Sequence, residues 1–464
     1  MATTRLSTQD TSFIYGEDQR IPLHVGGLAY VDAAPLRDED GHLDIGRIRS
    51  AIEERLCLLP LFRKKLAEIP FEQGRPVWVD DPNFCIERHV REAAIPRPGS
   101  RVQVHDLMGQ LQSQMLDRNR PLWEITFVDG LESPDEVAMI VKIHHSVTDG
   151  AAGVAVAKLL FDSTPRPTRA AAPSWEPEPT PDRLDLLRTS VEHRFSDWSG
   201  AANALWQGLR QPSLPVGLLR DYLRLQGALF TQCDDLPFNG AVGSSRVFEA
   251  VTLPLPAAME AKRAFQVTLN ELMLATVSGA LRAYCDERSI DPDTLSCIRA
   301  ICPVDIREAG DTSLGCNVAS LFIELPVAEP DPRQRIRLAS AESRYRKSQG
   351  ALGAAQVWNA FTSSLPNPLL RVSSWFQYRG LLGQGNLMLS NIPGPREPLY
   401  CVGGTVRSFF PYFGVQDPVG LTMVLFSYCD QFHIGLSADP DLMPDLSSFA
   451  EVLQKEFALL SALA

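Results

Sequence analysis

Two adjacent histidines, His144 and His145, close an apolar run at 136–143 (EVAMIVKI) and are followed by Ser146-Val147-Thr148-Asp149-Gly150. An imidazole has an unperturbed pKa of about 6.5, so near neutral pH it can take a proton from a hydroxyl and later return it. That is general-base chemistry. The run before the pair is β-branched and apolar like a buried strand, whereas 151–161 is Ala- and Leu-rich and helix-prone. The string therefore reads as a strand-to-helix junction with Gly150 at the turn. Side chains alternate along a strand, so His144 and His145 diverge, and His145 shares a face with Val137, Met139, Val141 and Ile143. A histidine pair at a strand end also serves as a hydrogen-bonded structural element. A metal site built from His144, His145 and Asp149 is a third reading. It is disfavoured because adjacent strand residues converge poorly on one ion and no further His/Cys cluster follows. Asp149 suits a structural role, since an anion at such a turn can bind backbone N–H groups or an arginine.

The elements that must position the pair are legible around it. Ser7 opens a short capped helix that leads to a strand at 24–31, and apolar residues at helical spacing in 45–59 end at Pro60. An amphipathic helix at 104–116 is followed by Pro121-Leu122-Trp123-Glu124 and a strand at 125–128. Trp123 is assigned to packing, because a buried indole positions its neighbours. Between 163 and 182 six prolines fall among Ala, Arg, Glu and Thr, the composition of a stiff, solvated linker. Beyond it Leu184, Leu187, Val191 and Phe195 recur on one face of a long helix, and 216–230 predicts a second. The later half repeats the order of strand, helix and strand: a strand at 246–255, a helix at 269–286, strands at 297–302 and 318–325, a hairpin over 421–436, and a closing helix at 451–463. Thr268 with Glu271 three residues on is a capping box, which puts Asn270 in the first turn of its helix. Unpaired N–H groups and the positive end of the helix dipole favour an anion there. Asn270 is accordingly predicted to help hold an oxyanion.

The chain has 464 residues, 45% hydrophobic and 22% charged, enough for two domains. A net charge of -12 argues against nucleic acid. Nine cysteines lie singly, without C-x-x-C or metal-ligand spacing, as expected of reduced thiols in a cytosol. There is no apolar signal core near the N-terminus and no apolar run of about 18 residues, so a cytoplasmic protein without a spanning segment is expected. The absence of G-x-S-x-G, G-x-G-x-x-G and P-loop motifs removes the acyl-serine route and nucleotide-cofactor chemistry.

The His-His-x-x-x-Asp-Gly string resembles the active-site motif of the CoA-dependent acyltransferase superfamily. PLWE at 121–124, HHSVTDG at 144–150, the TLNE helix start at 268–271, PVDIR at 303–307, GCN at 315–317 and SNIPGP at 390–395 together resemble the wax ester synthase/diacylglycerol acyltransferase family over nearly the whole chain. Glu271 and Asp305 depart from that pattern, where Asp and Ser are usual. The resemblance implies an α/β fold of two chloramphenicol-acetyltransferase-like domains with an interdomain active-site tunnel. The domains expected are 1–162, carrying the histidine motif, and 241–464, joined by a linker and crossover helices at 163–240. The implied activity is transfer of a long-chain fatty acyl group from acyl-CoA, as cosubstrate and with no cofactor, to a diacylglycerol or long-chain alcohol. His145 is the expected base, with His144 in support, Asn270 on the oxyanion, and Asp149, Gly150, Pro121, Leu122 and Trp123 structural at the site. A carrier-protein-dependent condensation enzyme and a non-catalytic lipid-binding protein are the alternatives. Insoluble acceptors imply peripheral contact with a membrane or lipid inclusion. The aromatic-basic stretch 365–382, with Leu369, Leu370, Trp375, Phe376, Tyr378, Leu381 and Leu382 among Arg371 and Arg379, is the expected surface.

Overall fold

The computed structural model describes residues 4–166, 175–193, 233–307, 315–348, 362, 365–380 and 385–464. In chain order the first half contains β1 (Thr4–Arg5), α1 (Thr8–Gly16), β2 (His24–Asp32), α2 (Ile45–Arg55), β3 (Lys64–Ala67), β4 (Val77–Asp80), β5 (Val90–Ala94), α3 (Arg101–Gln112), β6 (Trp123–Asp129), β7 (Glu136–His144) and α4 (Gly150–Leu160). The second half contains β8 (Val247–Pro254), α5 (Leu255–Phe265), α6 (Leu269–Glu287), β9 (Arg299–Asp305), β10 (Val318–Glu324), α7 (Pro332–Ser348), α8 (Asn367–Tyr378), β11 (Leu387–Pro393), β12 (Tyr400–Cys401), β13 (Gly404–Phe413), β14 (Leu421–Tyr428), β15 (Gln431–Ala438) and α9 (Leu446–Ala462).

Two six-stranded mixed sheets carry the fold, in the orders β12-β13-β2-β7-β6-β5 and β10-β9-β11-β14-β15-β8, beside a small sheet β1-β4-β3. Each large sheet is apolar on both faces, as a sheet covered on both sides must be. Ala29, Val31, Met139 and Ile143 face α2 and α4, while Leu28, Tyr30, Ala138 and Ile140 pack under Val104 and Met108 of α3. In the second sheet Ala300, Cys302, Leu387, Leu389, Met423 and Leu425 pack against α6 and α9, and the alternate residues turn toward the first sheet.

Several details differ from the periodicity of the sequence. The first sheet is not built from residues 1–162 alone, because β13 comes from the later half and pairs antiparallel with β2 from Val31↔Val406 to Val25↔Phe413. Such non-local pairing leaves no local signature. Pro303 lies inside β9 and not after it. This is tolerated because β11 pairs with β9 only through Ala300 and Ile301, so Pro303 has a neighbour on one side alone. The helical stretch at 183–193 turns Leu186 and Ser190 inward, with Leu184 and Val191 exposed, because Leu186 packs on Ile69, Val77 and Val79 of the small sheet. The rest of the expected crossover helices, 194–209 and 216–230, and linker positions 167–174 lie outside the described residues. No helix among the described residues is long and apolar enough to cross a membrane.

The start of α4 approaches the second sheet closely at Gly150. A β-carbon on Gly150 would stand 2.5 Å from Ile392 Cδ1, at the SNIPGP strand β11. Gly150→Ala should therefore destabilise the fold by about 1–3 kcal/mol through overpacking, and Gly150→Ala/Ile392→Val should recover part of that loss. Denaturant titration of the three proteins measures it; an unaltered midpoint for the single variant would mean that the seam is loose.

Candidate active site

The histidine pair is pinned from both sides by backbone. The His144 N–H donates to the Leu122 carbonyl at 3.0 Å, and the His145 N–H donates to the Leu23 carbonyl at 2.9 Å. Leu122 is itself held by its neighbour. The Trp123 indole N–H donates to the Phe62 carbonyl at 2.8 Å, and its ring stacks on His89 with centroids 4.7 Å apart. Pro121, Leu122 and Trp123 thus fix the end of β6 against which His144 registers.

From that end the two imidazoles go opposite ways. His145 continues the face of Met139, Val141 and Ile143, and all four line a cavity of about 510 Å³. From Met139 to His145 this face spans about 20 Å at strand rise. The same cavity is lined from the second sheet by Ile301, Pro303, Phe322, Met388 and Ile392, among others. The His145 ring stacks on Phe13 with centroids 4.1 Å apart and meets the Phe413 ring edge-on at 5.3 Å. Burial between the two phenylalanines pushes its pKa down to about 4; the His145 carbonyl and the Asp149 charge oppose this shift without reversing it. The ring is therefore neutral at pH 7. Its Nδ1 has no hydrogen-bond partner among the described residues, so the imidazole is held by ring contacts and by its backbone.

His144 points instead into a buried polar cluster that the sequence did not reveal. Its Nδ1 accepts from the Ser146 N–H at 3.0 Å and from the Ser146 hydroxyl at 2.7 Å. The ring proton therefore lies on Nε2, 3.4 Å from Glu17 Oε2. Glu17 also lies 3.3 Å from His24 Nε2 and 2.8 Å from the Arg118 guanidinium, and accepts the Leu23 N–H at 3.2 Å. Both imidazole contacts are within ion-pair reach but off the best hydrogen-bonding angle. Burial disfavours the Glu17 carboxylate, and the Arg118 guanidinium beside it supplies a permanent counter-charge. Burial keeps His24 neutral, with its pKa pushed down to about 4. His24 and His144 are directly paired across β2 and β7. Glu17 also supports the Leu23 backbone, whose carbonyl positions His145.

Asp149 caps α4 by accepting the Ala152 N–H at 2.9 Å, and its other oxygen meets the Arg307 guanidinium at 2.7 Å and the Asn317 N–H at 3.1 Å. Arg307 donates onward to the Gly315 carbonyl at 2.5 Å and pairs with Asp305 at 3.2 Å. The histidine, PVDIR and GCN motifs are thereby tied in one buried network. Behind it, Asp10 of α1 accepts the Cys316 N–H at 2.9 Å, and burial raises its pKa to about 6. His144, His145 and Asp149 point respectively to Glu17, to the cavity and to Arg307, so they do not form a common ligand set. Among the described residues no group of three or more His, Cys, Asp or Glu could hold a metal ion.

Asn270 is a correction. Thr268 and Glu271 do form a reciprocal capping box at the start of α6, with hydrogen bonds of 2.8 and 3.2 Å. However, α6 packs on the face of the second sheet opposite the cavity, and Asn270 does not line it. Sequence position fixed its place in the helix but not which face of the sheet the helix covers. The residues lining the cavity next to Asp149 are Gly150 and Ala151, the first two of α4.

The wax ester synthase/diacylglycerol acyltransferase catalytic domain matches residues 6–273, and the C-terminal domain of the same group matches residues 314–461. Among relatives, Mycobacterium tuberculosis Rv1760, which carries a diacylglycerol O-acyltransferase name, is 30% identical over 97% of this chain and 88% of its own length. Mycobacterium tuberculosis tgs1, similarly named, is 28% identical over 99% of this chain and 96% of its own. Among solved structures, the wax ester synthase/diacylglycerol acyltransferase of Marinobacter aquaeolei VT8 aligns with a TM-score of 0.69 at 21% identity, covering 98% of each chain. The first condensation domain of the calcium-dependent antibiotic synthetase shares the fold at a TM-score of 0.64 and 15% identity, over 99% of this chain and 96% of its own. With its catalytic and C-terminal portions both matched and its two-domain architecture shared, this chain belongs to the wax ester synthase/diacylglycerol acyltransferase family and is an acyltransferase.

Proposed function

We propose that this enzyme transfers a long-chain fatty acyl group from acyl-CoA to the hydroxyl of a diacylglycerol or long-chain alcohol, with His145 as general base. The observation that carries the reading is a buried imidazole set in the wall of a cavity lined by both sheets, where burial favours its neutral form. A thioester already has a thiolate leaving group, with a thiol pKa of about 8.5, so what the reaction lacks is a deprotonated acceptor. As the acceptor oxygen attacks the thioester carbonyl, His145 takes its proton. Collapse of the tetrahedral intermediate expels the CoA thiolate, which recovers that proton from the imidazolium. The first turn of α4, at Gly150 and Ala151, offers backbone N–H groups and the positive helix end beside the reacting carbonyl, the task assigned by sequence to Asn270. The expected tunnel enters this reading as an extension of the cavity, whose β7 wall of about 20 Å suits an extended acyl chain. His144 and Glu17 support the strand end that presents His145.

The test is turnover of labelled palmitoyl-CoA with a panel of diacylglycerols, long-chain alcohols and amines. His145→Ala should lower turnover by about 10²–10⁴ with the melting temperature retained. A folded His145→Ala protein with near-normal rates would exclude the base assignment, and transfer to amines alone would exclude the hydroxyl acceptors.

Water-insoluble acceptors must arrive from a lipid surface, and we assign that contact to α8. Its inner residues Leu370, Ser374 and Tyr378 line the cavity, while Leu369, Val372, Trp375 and Phe376 are 54%, 50%, 48% and 43% exposed. Phe71 stands beside them at 82% exposure, its loop tied to α8 by Asn367 Nδ2 on the Glu72 carbonyl at 3.2 Å. Leu370 and Tyr378 are thus inside and not on the surface, and Leu381 and Leu382 lie outside the described residues. The basic residues expected at this interface are also engaged elsewhere. Arg371 sits over Tyr15 and pairs with Glu72, and Arg379 pairs with Asp18 and Asp417. The contact then rests on apolar insertion more than on charge. In liposome flotation, Trp375→Ser/Phe376→Ser should lose most recovery, and wild-type binding should depend weakly on anionic lipid. Equal recovery of two folded proteins would remove α8 from consideration.

A further inference from the structure

Far apart in sequence, Cys233 and Cys297 are brought together with their sulfurs 3.6 Å apart, and both side chains are half-buried. The contact is braced on every side. Asp234 donates its N–H to the Cys297 carbonyl at 2.9 Å, and its carboxylate accepts the N–H groups of Ser296 and Cys297 at 2.6 and 2.8 Å and the Ser296 hydroxyl at 2.9 Å. Asn386 joins the two segments again, through the Asp234 carbonyl at 2.6 Å and the Arg299 N–H at 2.8 Å. Arg299 Nη2 lies 3.6 Å from the Cys297 sulfur and 3.5 Å from Glu324 Oε1, so a cation paired with Glu324 also reaches Cys297, the thiol to which it can donate.

We propose that Cys233 and Cys297 form a peroxide-reactive dithiol, in which Cys297 is the sulfur oxidised first and Cys233 resolves it to a disulfide. The asymmetry decides the roles. Either thiol can donate across the 3.6 Å contact; with Arg299 beside Cys297, the proposed thiolate is placed there, and in that form the Cys233 S–H is the donor. That hydrogen bond, with Arg299, holds the Cys297 thiol down to about 7 against burial and the Glu324 and Asp234 carboxylates, while Cys233 is driven up. Burial pushes Cys302 and Cys401 up to about 12, so they are protected as thiols. In the reaction a hydroperoxide supplies the two-electron oxidant. The Cys297 thiolate attacks one peroxide oxygen, the O–O bond breaks, and the departing alkoxide or hydroxide takes a proton, leaving a sulfenic acid. The Cys233 sulfur then attacks the Cys297 sulfur, its proton leaves with the displaced hydroxide as water, and the S–S bond forms. The bond would join the entry to the second half to the start of β9, whose Ile301, Pro303 and Asp305 line the cavity.

Intact protein treated with a small excess of hydrogen peroxide, then alkylated and peptide-mapped, tests the proposal. The expected product is a Cys233–Cys297 cross-linked peptide pair lighter by two hydrogens, reversed by dithiothreitol, with the other cysteines still alkylated. Cys233→Ser should leave a Cys297 sulfenic acid that dimedone traps, and Cys297→Ser should leave Cys233 reduced. On the unmodified protein, iodoacetamide at pH 7 should label Cys297 roughly tenfold faster than an ordinary thiol. Oxidation elsewhere without the cross-link would overturn the proposal, as would wild-type oxidation of Cys233 in Cys297→Ser or slow alkylation of Cys297.

Discussion

A carboxylate and a guanidinium withdrawn from water are costly unless they are paired and hydrogen-bonded, and Asp149 and Arg307 are paired where the two halves of the chain join, with both Asp149 oxygens engaged and Arg307 Nε alone lacking a partner among the described residues. The pair does more than hold two motifs together. By capping α4, Asp149 fixes the turn that immediately follows His145, and by holding Arg307 it brings β9 and the GCN segment to the same point. Removing one partner of such a pair leaves a charge stranded, at a typical cost of about 3–5 kcal/mol. Every contact named for the aspartate of the histidine motif is architectural: it caps α4 and binds Arg307 and the Asn317 N–H.

A second constraint acts from the other side of β7. The strand has to present one imidazole to an apolar cavity and the next to protein, and alternation alone would leave a buried polar ring behind it. Glu17 and Ser146 fill that space as partners for His144, and His24 and Arg118 stand in turn against Glu17. Fixed backbone bonds to Leu23 and Leu122 then set where the His145 ring emerges. Burial lowers the pKa of His145, and the rings that enclose it, Phe13 and Phe413, come from α1 and from β13, so the proposed base is tuned by residues from both ends of the chain.

This distribution explains what the sequence shows and what it hides. Alternation along one strand placed His145 with Met139, Val141 and Ile143, and local capping chemistry placed Thr268 and Glu271, because both depend on neighbours a few residues away. Asp149 was legible as an anion at a helix start, though not its partner 158 positions later. Glu17 was hidden in a polar N-terminal stretch, where only the unusual histidine opening the apolar strand β2 hinted at a buried charge. The return of β13 to the first sheet, the side of the second sheet covered by α6, and the meeting of Cys233 with Cys297 are all long-range facts. For Asn270 the local signal was sound and the inferred neighbour was not.

If catalysis runs on a buried, neutral His145, the pH dependence of kcat/KM must show it. A base whose pKa is lowered to about 4 remains deprotonated through the mildly acidic range. kcat/KM should hold a plateau from pH 8 down to about pH 5 and decline only toward pH 4, with activity restored on return to pH 8. A reversible decline centred near 6.5, the value of an unperturbed imidazole, that is lost in His145→Ala would contradict the buried neutral base.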